Sequence, residues 1–534
     1  MHFISAHAFL KARTLPVVLL SAFLLGLAAH AQDVLTYHNN NARTGFDNKE
    51  TVLTLANVNS STFGKLFVVP ADGLVDAEPL YLSNVTISGV VHNLLIVATE
   101  NDTVYAYDAD NGTNLWQVTT LKSGETASDR RGCSQVSPKI GITSTPVISR
   151  PAAGDPIIYV VAMSKDTSGN YYQRLHALDA TNGTELLNGP VDITAQYPGT
   201  GDNSFNGYVV FDPSQYKERA GLLLVGGTVY LAFASHCDFR PYTGWIIGYS
   251  ATTLAQTTVL NVTPNGNEGA IWGSGAAMAA DNSGNIFLLD ANGVFDTTLN
   301  SAGFPDQGDY GNAFLRLTTT GGLAVADYFE MYNESTENST DTDLGSGGAI
   351  LVSEKDSTGK VWQLAVGAGK DGNLYVVDRT NMGKFNSTSN NIYQELKRAL
   401  VSGIYSTPAA MNTSIYYGPK SSPILEFQFK NAKLSATVAA KTTTTFAYPG
   451  ATPSISANAG QNAILWATEN TNPAVLHAYN AHTLVELYNT NQAAGGRDQF
   501  GAGNKYITPM IANGKVYVGT TTGVGVFGLL TAVK

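Results

Sequence analysis

Five short stretches place residues capable of chemistry beside glycine or acidic turns. They are Gly269-Ala270-Ile271-Trp272, Asp290-Ala291-Asn292-Gly293, Gly308-Asp309, Asp341-Thr342-Asp343 and Gly369-Lys370-Asp371-Gly372. An aromatic face, an amide, loop carboxylates and an ammonium are the parts needed to hold a flat polar cofactor, a hard cation and a proton acceptor. Each also has an ordinary structural explanation. A tryptophan packs between sheets, and a lysine in a K-D-G hairpin is solvated. Asn before Gly is what a type I′ turn prefers. Asp309 lies in a glycine-rich loop, and Asp341 and Asp343 share an acidic stretch with Glu334 and Glu337. A further cluster, His236, Asp238, Arg240 and Tyr242, is polar and aromatic and suits a sugar pocket or a flat polar cofactor equally. His176 and His477 occupy the same slot in two copies of a repeat and read as structural. The chain has no G-x-S-x-G, H-E-x-x-H or P-loop.

The elements that must position these residues follow one template. Leu94 to Trp116, LLIVATENDTVYAYDADNGTNLW, reads as strand, hairpin, strand, tight turn and the start of a third strand. A lone meander cannot bury its apolar face, so copies must stack. Copies open at Glu78-Pro79-Leu80, Ser144-Thr145-Pro146, Leu222, Ile271, Gly345, Ser406-Thr407-Pro408, Thr452-Pro453 and Thr508-Pro509. The best internal match pairs Ala98-Thr99-Glu100-Asn101 with Ala467-Thr468-Glu469-Asn470. Eight such units without an amphipathic helix between them predict an all-β chain, an eight-bladed β-propeller of four-stranded antiparallel blades. Seven blades also fit, because the sixth unit is divergent and the terminal strands could share one blade. The long inserts at 120–140, 190–218, 296–344 and 376–402 would gather at the faces, where sites are built.

Composition agrees with a large, turn-rich β protein: 534 residues, 43% hydrophobic, 14% charged, with 53 Gly and 26 Tyr. A net charge of −11 argues against nucleic acid or an anionic membrane surface as partner. Residues 1–31 read as a signal peptide: Lys11 and Arg13 precede LPVVLLSAFLLGLA, and Ala29-His30-Ala31 forms a cleavage site. That run is shorter than the ~20 residues a spanning helix needs, so no membrane span is expected and the mature chain is expected to be secreted or periplasmic. Residues 32–75 form a loop-rich lead-in, and 76–534 the propeller. Cys133 and Cys237 could pair as a disulfide in an oxidising compartment. No C-x-x-C-H haem attachment exists.

Ala106 to Trp116 fits A-x-D-x-x-x-G-x-x-x-W, which resembles the tryptophan-docking repeat of the pyrroloquinoline quinone (PQQ) dehydrogenase-like propellers. Features outside the repeat resemble the quinoprotein alcohol dehydrogenases in chain order. The lead-in TYHNNNARTG…LANVNSSTFGKLF is similar to their N-terminal segment. Gly369-Lys370-Asp371-Gly372-Asn373-Leu374-Tyr375-Val376-Val377-Asp378-Arg379-Thr380-Asn381 is close to the family's K-N-G-x-x-Y-V-L-D-R-T-N. The resemblance spans most of residues 34–530.

That resemblance implies a set of roles. Trp272 would stack under the quinone, Lys370 would hydrogen-bond its oxygens, and Asp76 would contact the cofactor. Asn292 would bind Ca²⁺, and Asp309 would be the catalytic base and a metal ligand. The family's calcium-binding Glu has no clean counterpart, and Asp238 falls nearest to it. The adjacent Cys-Cys pair that covers the quinone in the family is absent, and no cytochrome segment is fused. The implied activity is an exported PQQ- and Ca²⁺-dependent oxidation of an alcohol or a sugar. The alternative is a propeller of the same kind without the cofactor, serving as a carbohydrate- or protein-binding module; a hydrolase or lyase on the same scaffold is a third class. Fold alone does not choose between them.

Overall fold

A computed structural model describes residues 1–2 and 32–531. The signal-peptide reading falls on residues outside that range. Among the described residues the chain is all-β, with a single six-residue α-helix, Glu334–Ser339, and short 3₁₀ turns. No helix among them is long and apolar enough to cross a membrane.

Eight sheets of four or more strands follow one another along the chain. The first holds Leu80–Ile87, Val90–Ala98, Thr103–Asp108 and Asn114–Thr119, paired antiparallel in sequence order. The fifth repeats this with Ile350–Lys355, Val361–Ala368, Leu374–Asp378 and Gln394–Leu396. The inner strands are covered on both faces; in the second strands of the first and fifth sheets Ile96, Val97, Leu364 and Val366 are each fully or almost fully buried. Successive sheets share one apolar layer. Tyr159 and Val161 of the second pack with Leu231 and Trp245 of the third, and Tyr230 and Ile246 of the third with Ile286 and Leu315 of the fourth. Ile464 and Trp466 of the seventh pack with Val516 and Phe527 of the last.

The template's Asp, Gly and Ala act as a fastener between neighbours. Asp108 Oδ1 accepts the backbone N–H of Asp110, and Gly112 at φ +78° completes the turn that this carboxylate folds. The turn's Ala carbonyl then accepts a side chain from the preceding sheet. Trp116 Nε1 donates to Ala180 (2.9 Å), Tyr159 OH to Ala251 (2.5 Å) and Tyr416 OH to Ala481 (2.8 Å). Tyr517 OH of the last sheet donates to Ala109 of the first (3.5 Å), and Tyr517 packs on Tyr81 at 6.3 Å. The last sheet therefore docks on the first as each of the others docks on its neighbour.

Two parts of the lead-in are built into this arrangement. Phe63–Pro70 pairs antiparallel with Gly523–Leu529, so the last sheet joins the two ends of the described chain. Residues 34–46 lie across the first strands of successive sheets. Tyr81 donates its N–H to Val34, Ile148 to Leu35, Ala280 to Asn41, Leu351 to Ala42, Ala410 to Thr44 and Ile455 to Gly45. Arg43, fully buried, binds the Met278 and Tyr37 carbonyls and Thr36 Oγ1. A segment in contact with so many sheets plugs the centre around which they stand.

Burial against this plug has a measurable consequence. Glu78 is raised to about 8 by burial, which outweighs the His38 N–H it accepts and the nearby Arg43. A carboxyl raised in the folded state contributes stability that is complete below its unfolded value of 4.5 and is lost as pH rises through about 8. The stability difference between the wild type and Glu78→Gln should therefore shift against the wild type by about 1.4 kcal/mol per pH unit across that window. Denaturant unfolding at pH 5 and pH 8 checks it, and a pH-independent difference would contradict it.

Candidate functional site

Residues that precede the first strands of the third to eighth sheets converge near one end of the plug, joined by loops within the third and fifth. There a cavity of ≈220 Å³ is walled by Trp272, Arg219, Lys370, Asp343, Asp238 and Tyr506, with Gln135, Asp341, Tyr405 and Tyr448 at its sides.

Trp272 enters through backbone that few residues can adopt. It is followed by Gly273 (φ +48°), Ser274 (φ +54°) and Gly275 (φ +91°), three successive left-handed residues. Ser274 is held there by donating to the Ser346 carbonyl at 2.7 Å. Lys370 depends on close approach instead. A Cβ on Gly369 would lie 2.4 Å from the Asp343 carbonyl oxygen, so only glycine lets the Lys370 hairpin and the Asp343 loop meet.

One wall is aromatic. Trp272 lies 6.2 Å from Tyr405 and 6.4 Å from Tyr506; Tyr405 lies 5.4 Å from Tyr448, and the Tyr448 and Tyr506 hydroxyls hydrogen-bond at 3.0 Å. Two cations border it. The Lys370 ammonium is 5.9 Å from the Trp272 ring centre, and the Arg219 guanidinium is 4.6 Å above the Tyr506 ring. Arg219 is 5% exposed, and its Nε and Nη1 find no acceptor within the protein. Two buried donors without a protein acceptor are a strong attraction for an anionic group placed there.

The opposite wall is acidic and graded in depth. Lys370 Nζ lies 2.8 Å from both Asp341 and Asp343; the Asp341 side chain is 77% exposed and that of Asp343 only 8%. Burial raises the Asp343 carboxyl, and Lys370 together with the Asn292 N–H (3.0 Å) works against the rise without cancelling it. Burial disfavours the Lys370 ammonium, but Asp343 and Asp341 outweigh it and keep the amine protonated. Asp238 Oδ1 accepts from Ser235 Oγ (2.5 Å) and Tyr242 OH (3.2 Å).

Trp272, Lys370 and Asp238 therefore meet on this cavity. Asn292 stands just behind it, donating from Nδ2 to Asp341 (3.3 Å), with its buried Oδ1 unmatched by any donor. Asp309 does not line the cavity. Its Oδ1 accepts the N–H groups of Asn265 (2.9 Å) and Gly266 (3.1 Å), and burial raises it to about 6. Asp76 also lies off the cavity. It accepts from Asn504 Nδ2 at 2.6 Å and lines a one-water-sized void with Glu78, Tyr37, Arg219 and Tyr506. Among the described residues no three His, Cys, Asp or Glu side chains form a ready-made metal cage.

Cys133 and Cys237 form a disulfide, Cα to Cα 5.8 Å. It sits between Gln135 and Asp238, clamping the two loops that supply this edge of the cavity. Lys217, buried against it at 3.4 Å from Cys133 Sγ and 3.0 Å from Gln135 Oε1, is lowered to about 7 by burial and the neighbouring Arg219.

Arg219, Tyr405, Tyr448 and Tyr506 were not legible as site residues from the sequence. The signal they share is positional. Arg219 precedes the third repeat's opening, Tyr405 precedes Ser406-Thr407-Pro408, Tyr448 precedes Thr452-Pro453 and Tyr506 precedes Thr508-Pro509.

No family model and no curated protein sequence matches the chain. Solved structures do. Quinohemoprotein alcohol dehydrogenase from Comamonas testosteroni aligns over 94% of this chain and 83% of its own, at 15% identity and a TM-score of 0.58. Quinohemoprotein alcohol dehydrogenase ADHIIG from Pseudomonas putida HK5 aligns over 94% and 81%, at 14% identity and a TM-score of 0.61. A europium-containing methanol dehydrogenase aligns over 93% and 98%, at 14% identity and a TM-score of 0.57. At this identity the likeness is one of fold: the chain has the propeller-type fold of the quinoprotein alcohol dehydrogenases.

Proposed function

We propose that this chain is an exported quinoprotein-type oxidoreductase that oxidises an alcohol or a sugar with PQQ held in the cavity over Trp272, on an eight-bladed ring closed by Phe63–Pro70. One observation supports it most. Trp272, Lys370 and Asp238 come from three separate stretches of sequence, yet they line a single cavity together with an Arg219 whose buried donors lack acceptors. A flat, multiply acidic quinone matches that combination of aromatic face and cations.

When bound, PQQ supplies the electrophilic carbonyl and accepts two electrons. The chain's own residues have separable parts. Trp272 and the tyrosines offer ring faces and exclude water. Arg219 pairs with a carboxylate, and Lys370 donates a hydrogen bond to an oxygen of the ligand. We place the proton acceptor at Asp343: it lines the cavity, is desolvated, and has its second oxygen beside an ammonium that favours the ionised form. Asp309, whose Oδ1 takes the N–H groups of Asn265 and Gly266, holds that loop in place and lies off the cavity. For Ca²⁺ the available oxygen donors are Asp238, Asp343 and the unmatched Asn292 Oδ1. The disulfide and the signal-like segment at 1–31 support export.

Reconstitution tests this reading. Purified protein given PQQ and Ca²⁺ should develop a bound-quinone absorbance and dye-linked oxidation of primary alcohols or aldoses. Neither signal at micromolar PQQ would contradict it and favour a binding module.

A further inference from the structure

A second, larger cavity lies at the other end of the strands. The first is bordered by Lys370, in the hairpin between the second and third strands of the fifth sheet. The second, ≈690 Å³, is bordered by the hairpin at 281–285, between the first and second strands of the fourth sheet. Residues 40–42 of the plug form its inner side. Its size is that of a small-molecule site.

Its charge is unbalanced. Arg316 and Arg379 both line it. Arg316 Nη1 donates to the Arg379 carbonyl (2.5 Å) and Arg379 Nη2 to Gln363 Oε1, while the Nε of each is buried without an acceptor in the protein. The carboxylate on this wall is Asp281, 3.8 Å from Arg379 Nη1. It is already engaged by the N–H of Ser283 (2.9 Å), the N–H of Asn285 (3.0 Å) and Asn285 Nδ2 (3.0 Å). In the lining two guanidiniums therefore face one preoccupied carboxylate, with Asp378 acting on Arg379 from outside it, on a chain whose net charge is −11. A desolvated guanidinium is costly unless an anion meets it, and its fork suits a carboxylate or phosphate. The rest of the lining is amide and hydroxyl, from Asn40, Ser353 and Thr380 among others, over a floor containing Leu351.

We propose that this cavity is a second ligand site, for a small polyhydroxylated anion such as a sugar bearing a carboxylate or a phosphate. The anion sits between Arg316 and Arg379, and the amides and hydroxyls take the sugar hydroxyls. The proposal is independent of any cofactor in the first cavity.

Calorimetric titration of the full chain with D-glucuronate, D-glucose 6-phosphate and neutral D-glucose tests it. At least one of the two anions should bind with one-to-one stoichiometry, and which of them binds tells carboxylate from phosphate. Glucose should bind about tenfold more weakly or not at all. Arg379→Gln should weaken the anion by about tenfold or more. Ser353→Trp, a change at an exposed position that fills the cavity without touching the core, should abolish binding while thermal stability is kept. Equal affinity for glucose, binding unchanged in Ser353→Trp, or no binding of either anion would overturn the proposal.

Discussion

Replacing Asp343 with asparagine should lower PQQ-dependent turnover by about 10²–10⁴-fold, the range for loss of a positioned proton acceptor, while PQQ affinity changes only a few-fold. The asparagine keeps the side-chain oxygen that accepts the Asn292 N–H and removes the capacity to take a proton together with the charge that pairs with Lys370. In the wild type the rate should rise with pH through the Asp343 ionisation, since the group must be a carboxylate to act, and burial moves that limb above the ordinary carboxylate range. Asp309→Asn should behave differently. Its oxygen can still accept from Asn265 and Gly266, so turnover should stay within a few-fold of wild type. The reverse pattern, with Asp309→Asn inactive and Asp343→Asn active, would return the base to Asp309.

The second large effect concerns closure. Phe63, fully buried, comes from the lead-in yet sits between the last two sheets, 5.4 Å from Trp466, 5.0 Å from Tyr488 and 6.5 Å from Phe527. Phe63→Ala should cost about 3–5 kcal/mol, the range for a buried Phe whose cavity cannot collapse. Collapse is opposed here because each of the two sheets also packs on another neighbour. Val68 of the same strand is 41% exposed, and Val68→Ala should change stability by less than about 0.5 kcal/mol. Equal, small effects in denaturant unfolding would mean that Phe63–Pro70 is not needed to close the ring.

The fold was legible because its fastener is local. The Asp–Ala turn closed by Gly is written into the first two repeats, Ser250 and Asn480 stand in for the Asp in two others, and the carbonyls of Ala109, Ala180, Ala251 and Ala481 all receive a neighbour's side chain. The plug was less so: residues 34–46 read only as a loop-rich lead-in, because nothing local shows that their partners are the first strands of many sheets. The site was legible in part. Trp272, Lys370 and Asp238 stood out where the chain departs from its template. The three cavity tyrosines did not, since they are 3 of 26 and their only mark is a place just ahead of a repeat's first strand. Asp309 and Asp343 are both loop carboxylates in acidic or glycine-rich surroundings. Which one faces the cavity depends on how the loops that carry them pack, a fact of three dimensions: Asp343 meets Lys370 there, and Asp309 turns to Asn265 and Gly266.

The central claim, that the cavity over Trp272 holds a flat polyanionic quinone, is tested most directly by equilibrium titration of PQQ into the purified protein, with Arg219→Gln and Trp272→Ala alongside. One equivalent should bind at micromolar PQQ or below, with quenching of tryptophan fluorescence, and each substitution should weaken it about tenfold or more. No saturable binding, or binding indifferent to both substitutions, would contradict it.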